Sequence, residues 1–399
     1  MNKKQIPVGE LRLGMYVTEL DRPWLGTPFP FQGFPITSAD QIAALKQHCK
    51  TVFIDLERDA SDDPHEGHGL TETSLLGSVV YTEVTPVEKE LAVAREVYSG
   101  FAENIQRTFD KLRLEGELDL EPLKGPVRSV TRSIERNPDA MMLLFRIKQE
   151  SGHEFSRAVD TSIHMVAFGR FLQFPGERLL LLGLAGLLLN VGNARLPDTI
   201  LEKKGPLTAE EYALAKVHVM HSVGLIRAAP ALPKGLEDIV IQNHERLDGS
   251  GYPQGLRGRQ ISVDGAIAGL VDSYSAITSL RPYAEQVSPS AALSMLYKLR
   301  GTLFNEMLVE KFIQCIGVYP VGSTVELNTG EIGIVIAQNL ERRLQPRVMV
   351  ILDAGLKPIH PQVILDLVKE PRATPDELYR IVRTLPRDSL PFDLEQFLF

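Results

Sequence analysis

The spacing of apolar and polar residues changes twice along this 399-residue chain. The N-terminal part alternates in short segments, which predict strands separated by one helix. The long middle part has the three-to-four-residue spacing of helices, and the following part returns to alternation. The pattern predicts a mainly α protein with a helical bundle core, a small N-terminal α+β domain and a small C-terminal β module.

The expected boundaries follow these changes of pattern. We predict an N-terminal domain at 1–60, a polar linker at 61–85 and connecting helices at 86–149. A helical domain at 150–315, a β module at 316–369 and a tail at 370–399 follow. The connecting helices could carry the N-terminal domain to the helical domain or pair two subunits. The linker contains His65 and His68, although most histidine pairs in such segments bind no metal.

Individual elements follow from the same spacing. In the first domain we predict strands at 6–13, 15–20 and 51–55 and a helix at 38–48. Predicted helices of the middle part lie at 86–112, 126–136, 139–148, 154–172, 178–189, 208–227, 235–243, 263–280 and 290–299. Thr208 and Glu211 predict a capping box. In the C-terminal part we expect strands within 322–335 and 347–352, and a short helix at 375–384.

Composition narrows the class of protein. The net charge of −8 and the pI of about 5.7 disfavour a nucleic-acid groove, which needs a clustered basic face. Cys49 and Cys315, far apart in the sequence, indicate a reducing compartment. The apolar run at 179–189 is much shorter than the ~20 residues of a membrane-spanning helix, and the N-terminus has no signal-peptide core. We therefore expect a cytoplasmic protein without a membrane span.

The most informative stretch is His244–Pro253, His-Glu-Arg-Leu-Asp-Gly-Ser-Gly-Tyr-Pro. A histidine can bind a metal, and Gly249 and Gly251 allow positive φ or close approach of a ligand. The alternative is a surface loop with a capping aspartate. The residue sequence of this stretch resembles the signature motif of the HD-GYP family, which consists of metal-dependent phosphodiesterases that degrade cyclic di-GMP.

Other segments carry the same resemblance. Leu13-Gly14-Met15-Tyr16-Val17 and Asp21-Arg22-Pro23-Trp24 are similar to the uncharacterised domain that often precedes HD-GYP domains. The β module resembles the C-terminal extension of the same subgroup. The resemblance therefore implies an HD-GYP-type helical bundle for residues 150–315. Trp24 could anchor a partner or, more simply, belong to a core.

The resemblance also implies that most metal ligands are replaced. Residues 186–193 stand where the family has Gly-Leu-Leu-His-Asp-Ile-Gly-Lys, so the His-Asp pair falls on Leu189 and Asn190 and the lysine on Asn193. Leucine offers no lone pair, and asparagine lacks the charge that holds two cations. The family's first histidine falls on Arg157, with His153 where a glutamate ligand often sits. Arginine cannot be a ligand, but pointing inward it could act as a surrogate cation.

Three ligand types remain under this resemblance. They are His218, His244 and Asp272, whereas Asn243 and Ser275 replace a histidine and an aspartate of the family. The three could hold a single Fe, Mn or Zn ion, or they could be remnants that hydrogen-bond to one another. We favour the second reading and expect no cofactor, because hydrolysis in this family uses a hydroxide between two metal ions. His164 and His221 are spare histidines near these positions.

Binding contacts are also reduced. The resemblance makes Arg281 a candidate ligand for the phosphates of cyclic di-GMP, but Ala284 replaces the basic residue that follows it in the family. Gly251, Tyr252 and Pro253 form the loop that in family members docks partners such as GGDEF-type diguanylate cyclases. Three hypotheses follow: a degenerate signalling or ligand-sensing module, which could pair as a homodimer; an active phosphodiesterase with a reduced metal site; and a scaffold that binds no nucleotide.

Overall fold

The computed structural model describes residues 3–22, 34–36, 39–59, 75–148, 154–279 and 287–385. The chain divides into two compact units, residues 1–69 and 70–399, each with a hydrophobic core of its own. Several residues discussed above lie outside the described ranges, namely Trp24, His65, His68, His153, Arg281 and Ala284.

The first unit is a small antiparallel sheet with a helix, as predicted. Its strands β1 to β4 are Lys3–Pro7, Met15–Leu20, Phe34–Pro35 and Thr51–Asp59, in the order β1-β4-β2-β3. Helix α1 is Ala39–His48. The predicted first strand was misplaced, because the chain turns into a 3-10 helix, Val8–Glu10, directly after Pro7. Val17, Leu45 and Val52 fill the core.

The second unit is mainly helical. Helices α2 to α13 are Val87–Glu115, Glu121–Arg136, Pro138–Lys148, Glu154–Phe171, Gly176–Leu188, Asp198–Leu201, Ala209–Lys216, His218–Ala228, Leu236–Gln242, Val263–Thr278, Pro289–Lys298 and Glu306–Ile316. The sequence did not predict α7 or α13. The predicted helix at 208–227 is two helices, α8 and α9, which meet at Val217. The capping box of Thr208 and Glu211 is present.

The helices expected to be connectors belong to the main core. Phe101 and Ile105 of α2 and Val127 of α3 are buried in the same apolar cluster as the helices that follow. The second half of the predicted linker is also fixed there, since Leu75 is buried and Gly77 N donates to the Leu172 carbonyl oxygen. Residues 75–148 therefore form one unit with the helical domain.

Helix α6 is the centre of this unit. It packs closely on α5, because a Cβ on Gly186 would lie 2.6 Å from Ser162 Cα. Within the described residues, one stretch, Gly176–Arg195, is long and apolar enough to cross a membrane by length and composition. The buried leucines of α6 equally suit a core helix, with Leu179, Leu182 and Leu188 fully inside.

The C-terminal module is a five-stranded antiparallel sheet that extends beyond its predicted end. Strands β5 to β11 are Thr324–Leu327, Ile332–Ala337, Arg347–Leu352, Pro358–Asp366, Arg372–Thr374, Glu377–Leu378 and Ile381–Leu385. The sheet order is β11-β5-β6-β7-β8, and β9 pairs with β10. The short helix predicted at 375–384 was wrong. Instead, Ile381–Leu385 is a strand that pairs antiparallel with β5, with Ile381 packed on the sheet and Val382 exposed.

Candidate functional site

The predicted site residues meet where five helices of the second unit begin, end or pass. Arg157 lies in α5, Asn190 directly after α6, His218 at the start of α9 and Asp272 within α11. His244 follows the end of α10. The turn after α6 is held tightly on α9, because Gly192 N donates to Ser222 Oγ at 2.8 Å and a Cβ on Gly192 would clash with the His218 carbonyl oxygen. This contact places Asn190 over Asp272.

Asp272 is the acceptor of the site. Its Oδ1 receives Arg157 Nη2 at 2.7 Å and Asn190 Nδ2 at 2.8 Å, and the carboxylate is almost fully buried. Burial alone would raise the pKa of Asp272, but the charge of Arg157 and the hydrogen bonds from Arg157 and Asn190 hold that pKa below the usual value of a carboxyl group. Asp272 is therefore a charged acceptor with two protein donors.

The two histidines form a separate pair. His218 Nε2 and His244 Nε2 are 3.2 Å apart, and His218 Nδ1 lies 2.7 Å from the Ala215 carbonyl oxygen. Since an imidazole hydrogen bond needs one donor and one acceptor, at least one of the two facing nitrogens carries no proton. Burial lowers the pKa of His244 to about 3, so this ring is neutral. Neutral imidazole is also the form that binds metals.

The signature loop is held by its own glutamate. Buried Glu245 accepts from Gln254 N and from Leu256 N, at 2.7 and 2.9 Å. Gly251 lies so close to Arg246 that a Cβ would be 2.4 Å from its backbone nitrogen, and Gly249 has φ of 80°. Gly251 therefore allows two backbone segments to approach closely, and Gly249 allows a positive φ.

Tyr252 lies between this loop and the site. Its ring stacks on His244 with centroids 4.7 Å apart and planes 9° apart. Lys216 Nζ lies 5.3 Å from the centre of the Tyr252 ring. Tyr252 is half-buried, while Pro253 and Gln254 are exposed. Pro253 and Gln254 thus form the solvent-facing part of the loop, and the Tyr252 ring covers His244.

The replaced positions have different surroundings. Leu189 is buried in the apolar core. Asn243 is also buried, and neither polar atom of its amide has a hydrogen-bond partner within the described residues. Asn193 lines a cavity beside the site with Arg113 of α2. Buried Ser275 follows Asp272 by one turn.

Of the two spare histidines, His164 has a partner. Its Nδ1 is 2.8 Å from Asp160 Oδ1, and both groups are buried. His221 is half-buried in α9. The pair of His164 and Asp160 was not predicted, although their spacing of four residues within one helix is a signal that could have indicated it.

The residues present do not fit the two metal ions that the family resemblance implies. Among the described residues, no three His, Cys, Asp or Glu side chains converge so as to hold a metal ion. The fixed charge of Arg157 is bonded to the remaining carboxylate, and Leu189 offers no lone pair. A second cation beside Arg157 would be repelled.

Comparison with known proteins places these features in a family. Residues 3–123 match a domain of unknown function (DUF3391), residues 145–308 match the HD domain, and residues 324–374 match the KOW domain associated with the HD domain. These matches define a protein with an HD domain between two accessory domains. The chain is also 31% identical over 370 residues to the cyclic di-GMP phosphodiesterase PA4108 of Pseudomonas aeruginosa, an alignment that covers 91% of this chain and 89% of that protein.

The chain therefore belongs to the HD-GYP family. A 127-residue segment is 37% identical to a cyclic di-GMP phosphodiesterase of Thermotoga maritima, covering 31% of this chain and 34% of that protein. Among solved structures, Bd1817, a HDG"Y"P protein from Bdellovibrio bacteriovorus, is similar with a TM-score of 0.45 and 14% identity, covering 78% of this chain and 98% of that one. The resemblance stated for the first and last domains is confirmed by the first and third matches.

Proposed function

We propose that this chain is a catalytically degenerate HD-GYP protein of cyclic di-GMP signalling, acting as a protein-interaction or ligand-sensing module without a metal cofactor. One observation carries the proposal: Arg157 and Asn190 both donate to Asp272 Oδ1. Arg157 then acts as a surrogate cation that balances Asp272 in place of a metal ion. Without a metal-bound hydroxide, the family's route to phosphodiester hydrolysis is lost.

A second candidate is an active phosphodiesterase with a single metal ion. The 3.2 Å between His218 Nε2 and His244 Nε2 favours it, because two nitrogens bound to one tetrahedral zinc ion lie about 3.4 Å apart. In this case Asp272 would have to exchange its bonds with Arg157 and Asn190 for the metal. The chain would then be a cyclic di-GMP phosphodiesterase that retains one Fe, Mn or Zn ion.

Metal analysis together with hydrolysis of cyclic di-GMP decides between the two candidates. We expect purified protein to contain only traces of Fe, Mn and Zn and to leave cyclic di-GMP intact. Near-stoichiometric metal that disappears in His244→Ala, but not in the control His221→Ala, would establish the single-metal enzyme. His221 is a suitable control because it lies one turn after His218 in the same helix.

A gain-of-function variant tests the reason for the loss. The combined changes Arg157→His, Leu189→His, Asn190→Asp and Asn243→His return the family's residue types to the four replaced positions. We expect this variant to bind metal where the natural chain does not. If this variant folds, as judged by circular dichroism, and still binds no metal, the four replaced residues do not explain the loss of metal binding.

The solvent-facing end of the signature loop is the proposed contact for partners, a GGDEF-type diguanylate cyclase or another signalling protein. Pro253 is exposed, and Glu245 fixes the backbone on its far side. Pro253→Glu should weaken binding to a diguanylate cyclase in a two-hybrid assay, while Pro375→Glu, at another exposed proline, should not. Equal binding by both variants would favour the pure scaffold, whose other modules make the contacts.

Binding of cyclic di-GMP itself separates sensing from scaffolding. We propose that Arg281 contributes a phosphate contact, as the resemblance implies. Calorimetry with cyclic di-GMP should then give heat that Arg281→Ala reduces, and absence of heat in the natural protein would leave only the scaffold. We also propose a cytoplasmic location, since Cys49 and Cys315 are both buried free thiols.

A further inference from the structure

A second cavity lies where the helical core meets the C-terminal module. It encloses about 380 Å³, counting the part open to solvent. Its polar lining includes Arg146 of α4, Asp160 and His164 of α5, and Tyr274 of α11. Its apolar lining consists of Met142, Phe145, Pro289, Ile316, Pro320 and Val321. None of the candidate metal ligands is among these residues, so this space is separate from the site described above.

The side chain of Tyr274 brings a buried hydroxyl group to this cavity. Tyr274 is 3% exposed, and its hydroxyl makes no hydrogen bond to another described residue. T-shaped contacts with His164 and Phe312, whose ring centroids are 5.4 and 5.2 Å away, hold the ring in place. Buried polar groups in folded proteins usually have a partner, and a phenol can donate its proton. An acceptor atom in the cavity would supply that partner.

His164 offers a second donor to the same space. Its Nδ1 is 2.8 Å from Asp160 Oδ1, whereas its Nε2 makes no hydrogen bond within the described part of the chain. Burial opposes a charge on the ring, but the Asp160 carboxylate raises the pKa of His164 above the ordinary 6.5. Below that pH both ring nitrogens carry a proton, so Nε2 is a donor.

Arg146 adds a third donor and a fixed positive charge. Gly322 packs on its aliphatic chain, because a Cβ there would lie 2.5 Å from Arg146 Cγ. In the described lining, Asp160 is the single acidic side chain, and it is accompanied by two basic ones, Arg146 and His164. The lining with protonated His164 therefore has a net positive charge, which favours a ligand with one negative charge.

We propose that this cavity binds the carboxylate of a small organic acid, whose oxygens accept from Tyr274, His164 and Arg146. A carboxylate carries one negative charge and accepts several hydrogen bonds, as this lining requires. The apolar part of the acid contacts Phe145 of the helical core and Val321 of the segment that leads into β5. Binding of this kind needs neither a metal ion nor cyclic di-GMP, and so goes beyond the proposed function.

Calorimetric titration with benzoate and with benzamide, at pH 6 and constant ionic strength, tests this site. Benzamide has the shape of benzoate without its charge, so we expect benzoate to bind more tightly. Tyr274→Phe should weaken benzoate binding about tenfold, through loss of a hydrogen bond to a charged group. The same change should leave the free energy of unfolding nearly unaltered, because the hydroxyl has no partner among the described residues. Arg146→Gln should weaken the binding of benzoate more than that of benzamide.

Tyr319→Phe is the matched control. Tyr319 is also buried, and its hydroxyl makes no hydrogen bond to another residue that the structure describes, but it does not line the cavity. Three results would overturn the assignment: no heat with benzoate, equal affinity for benzoate and benzamide, and the same benzoate affinity in Tyr274→Phe and Tyr319→Phe. Circular dichroism checks the folding of each variant, and Arg146→Gln decides the matter if Tyr274→Phe does not fold.

Discussion

At the residue scale, Asp272 depends on the two donors that reach it. Its Oδ1 accepts from Arg157 and Asn190, and its side chain is 4% exposed, against 32% for Arg157. A buried carboxylate that loses its cationic partner keeps its charge in a place that solvates it poorly. The pair should therefore matter more for stability than an ion pair on the surface.

Arg157→Gln should lower the free energy of unfolding by about 2 kcal/mol, a value reduced from that of a fully buried pair because Arg157 is partly exposed. Adding Asp272→Asn should recover part of the loss, since the unpaired charge is then gone. Urea unfolding of both single variants and the double variant measures the coupling. Arg227→Gln, which breaks the exposed contact with Glu237, is the control and should change little. Additive effects of the two site changes would contradict the coupling.

His164 and Asp160 form another ion pair of this unit, with side chains 12% and 4% exposed. Burial would lower the pKa of His164, but the Asp160 carboxylate raises it above the ordinary 6.5. For Asp160, burial acts to raise the pKa, and His164 brings it below the ordinary 3.8. Arg146 and the hydroxyl of Tyr274 are the other titratable groups facing the pair.

The sign of the pH effect follows from these directions. A raised histidine pKa gives stability that is complete below pH 6.5 and lost as pH rises through the raised value. A lowered aspartate pKa gives stability that is lost only as pH falls below 3.8. His164→Gln should therefore destabilise the protein more at pH 6 than at pH 9 in urea unfolding. His221→Gln is the control variant, since His221 has no ion pair among the described residues. A constant difference for His164→Gln would refute the assignment.

The family resemblance predicts that Leu189, Asn190 and Asn243 replace metal ligands, because each stands inside a segment similar to the family signature. The sequence does not predict the contacts that these residues make. Arg113 was missed because it lies in a helix far from these segments, and only the packing of α2 on α3, α4 and α5 brings it to the cavity beside Asn193. Contacts between distant segments depend on the whole fold, which local spacing does not contain.

At the element scale, the break between α8 and α9 is a feature that the local spacing of residues did not predict. Residues 208–227 have continuous helical spacing with no proline to interrupt it. The chain nevertheless turns at Val217, and the turn directs His218 Nδ1 to the Ala215 carbonyl oxygen and Nε2 to His244. The break is a single residue whose φ of −64° and ψ of −19° stay in the helical region, so the spacing of apolar residues does not reveal it.

The last strand, β11, was mistaken for a helix because its apolar residues are few and their spacing fits both periods. In the structure it pairs with β5, and Arg383 bonds to Glu326 across the two strands. Residues on alternate faces should respond differently to a charge. Ile381 packs against buried residues of the sheet, whereas Val382 is 50% exposed.

Ile381→Asp should therefore destabilise the C-terminal module by about 1–2 kcal/mol through loss of apolar burial. Val382→Asp, the neighbouring change of the same type, should have little effect. Hydrogen exchange of the amides in β5 and β11, compared between the two variants, localises the change to this edge of the sheet. Equal protection of the β5 amides in both variants would contradict the pairing of β11 with β5 through Ile381.

At the scale of the whole molecule, the core of residues 1–69 shares no residue with the apolar clusters of residues 70–399 in the described ranges. Val17 is fully buried in the core of residues 1–69, and Val166 is fully buried in that of residues 70–399. A unit with a core of its own can unfold as a separate cooperative unit. The DUF3391 match nevertheless runs from residue 3 to residue 123 and so includes α2, which belongs to the second core.

Calorimetry of the full chain should therefore show two unfolding transitions, and paired valine substitutions should assign them. Val17→Ala and Val166→Ala each remove two methyl groups from a fully buried site and should cost on the order of 2 kcal/mol. Val17→Ala should lower the temperature of one transition only, and Val166→Ala that of the other. If each substitution moved both transitions equally, or if a single transition shifted in both variants, the boundary near residue 69 would not separate two cooperative units.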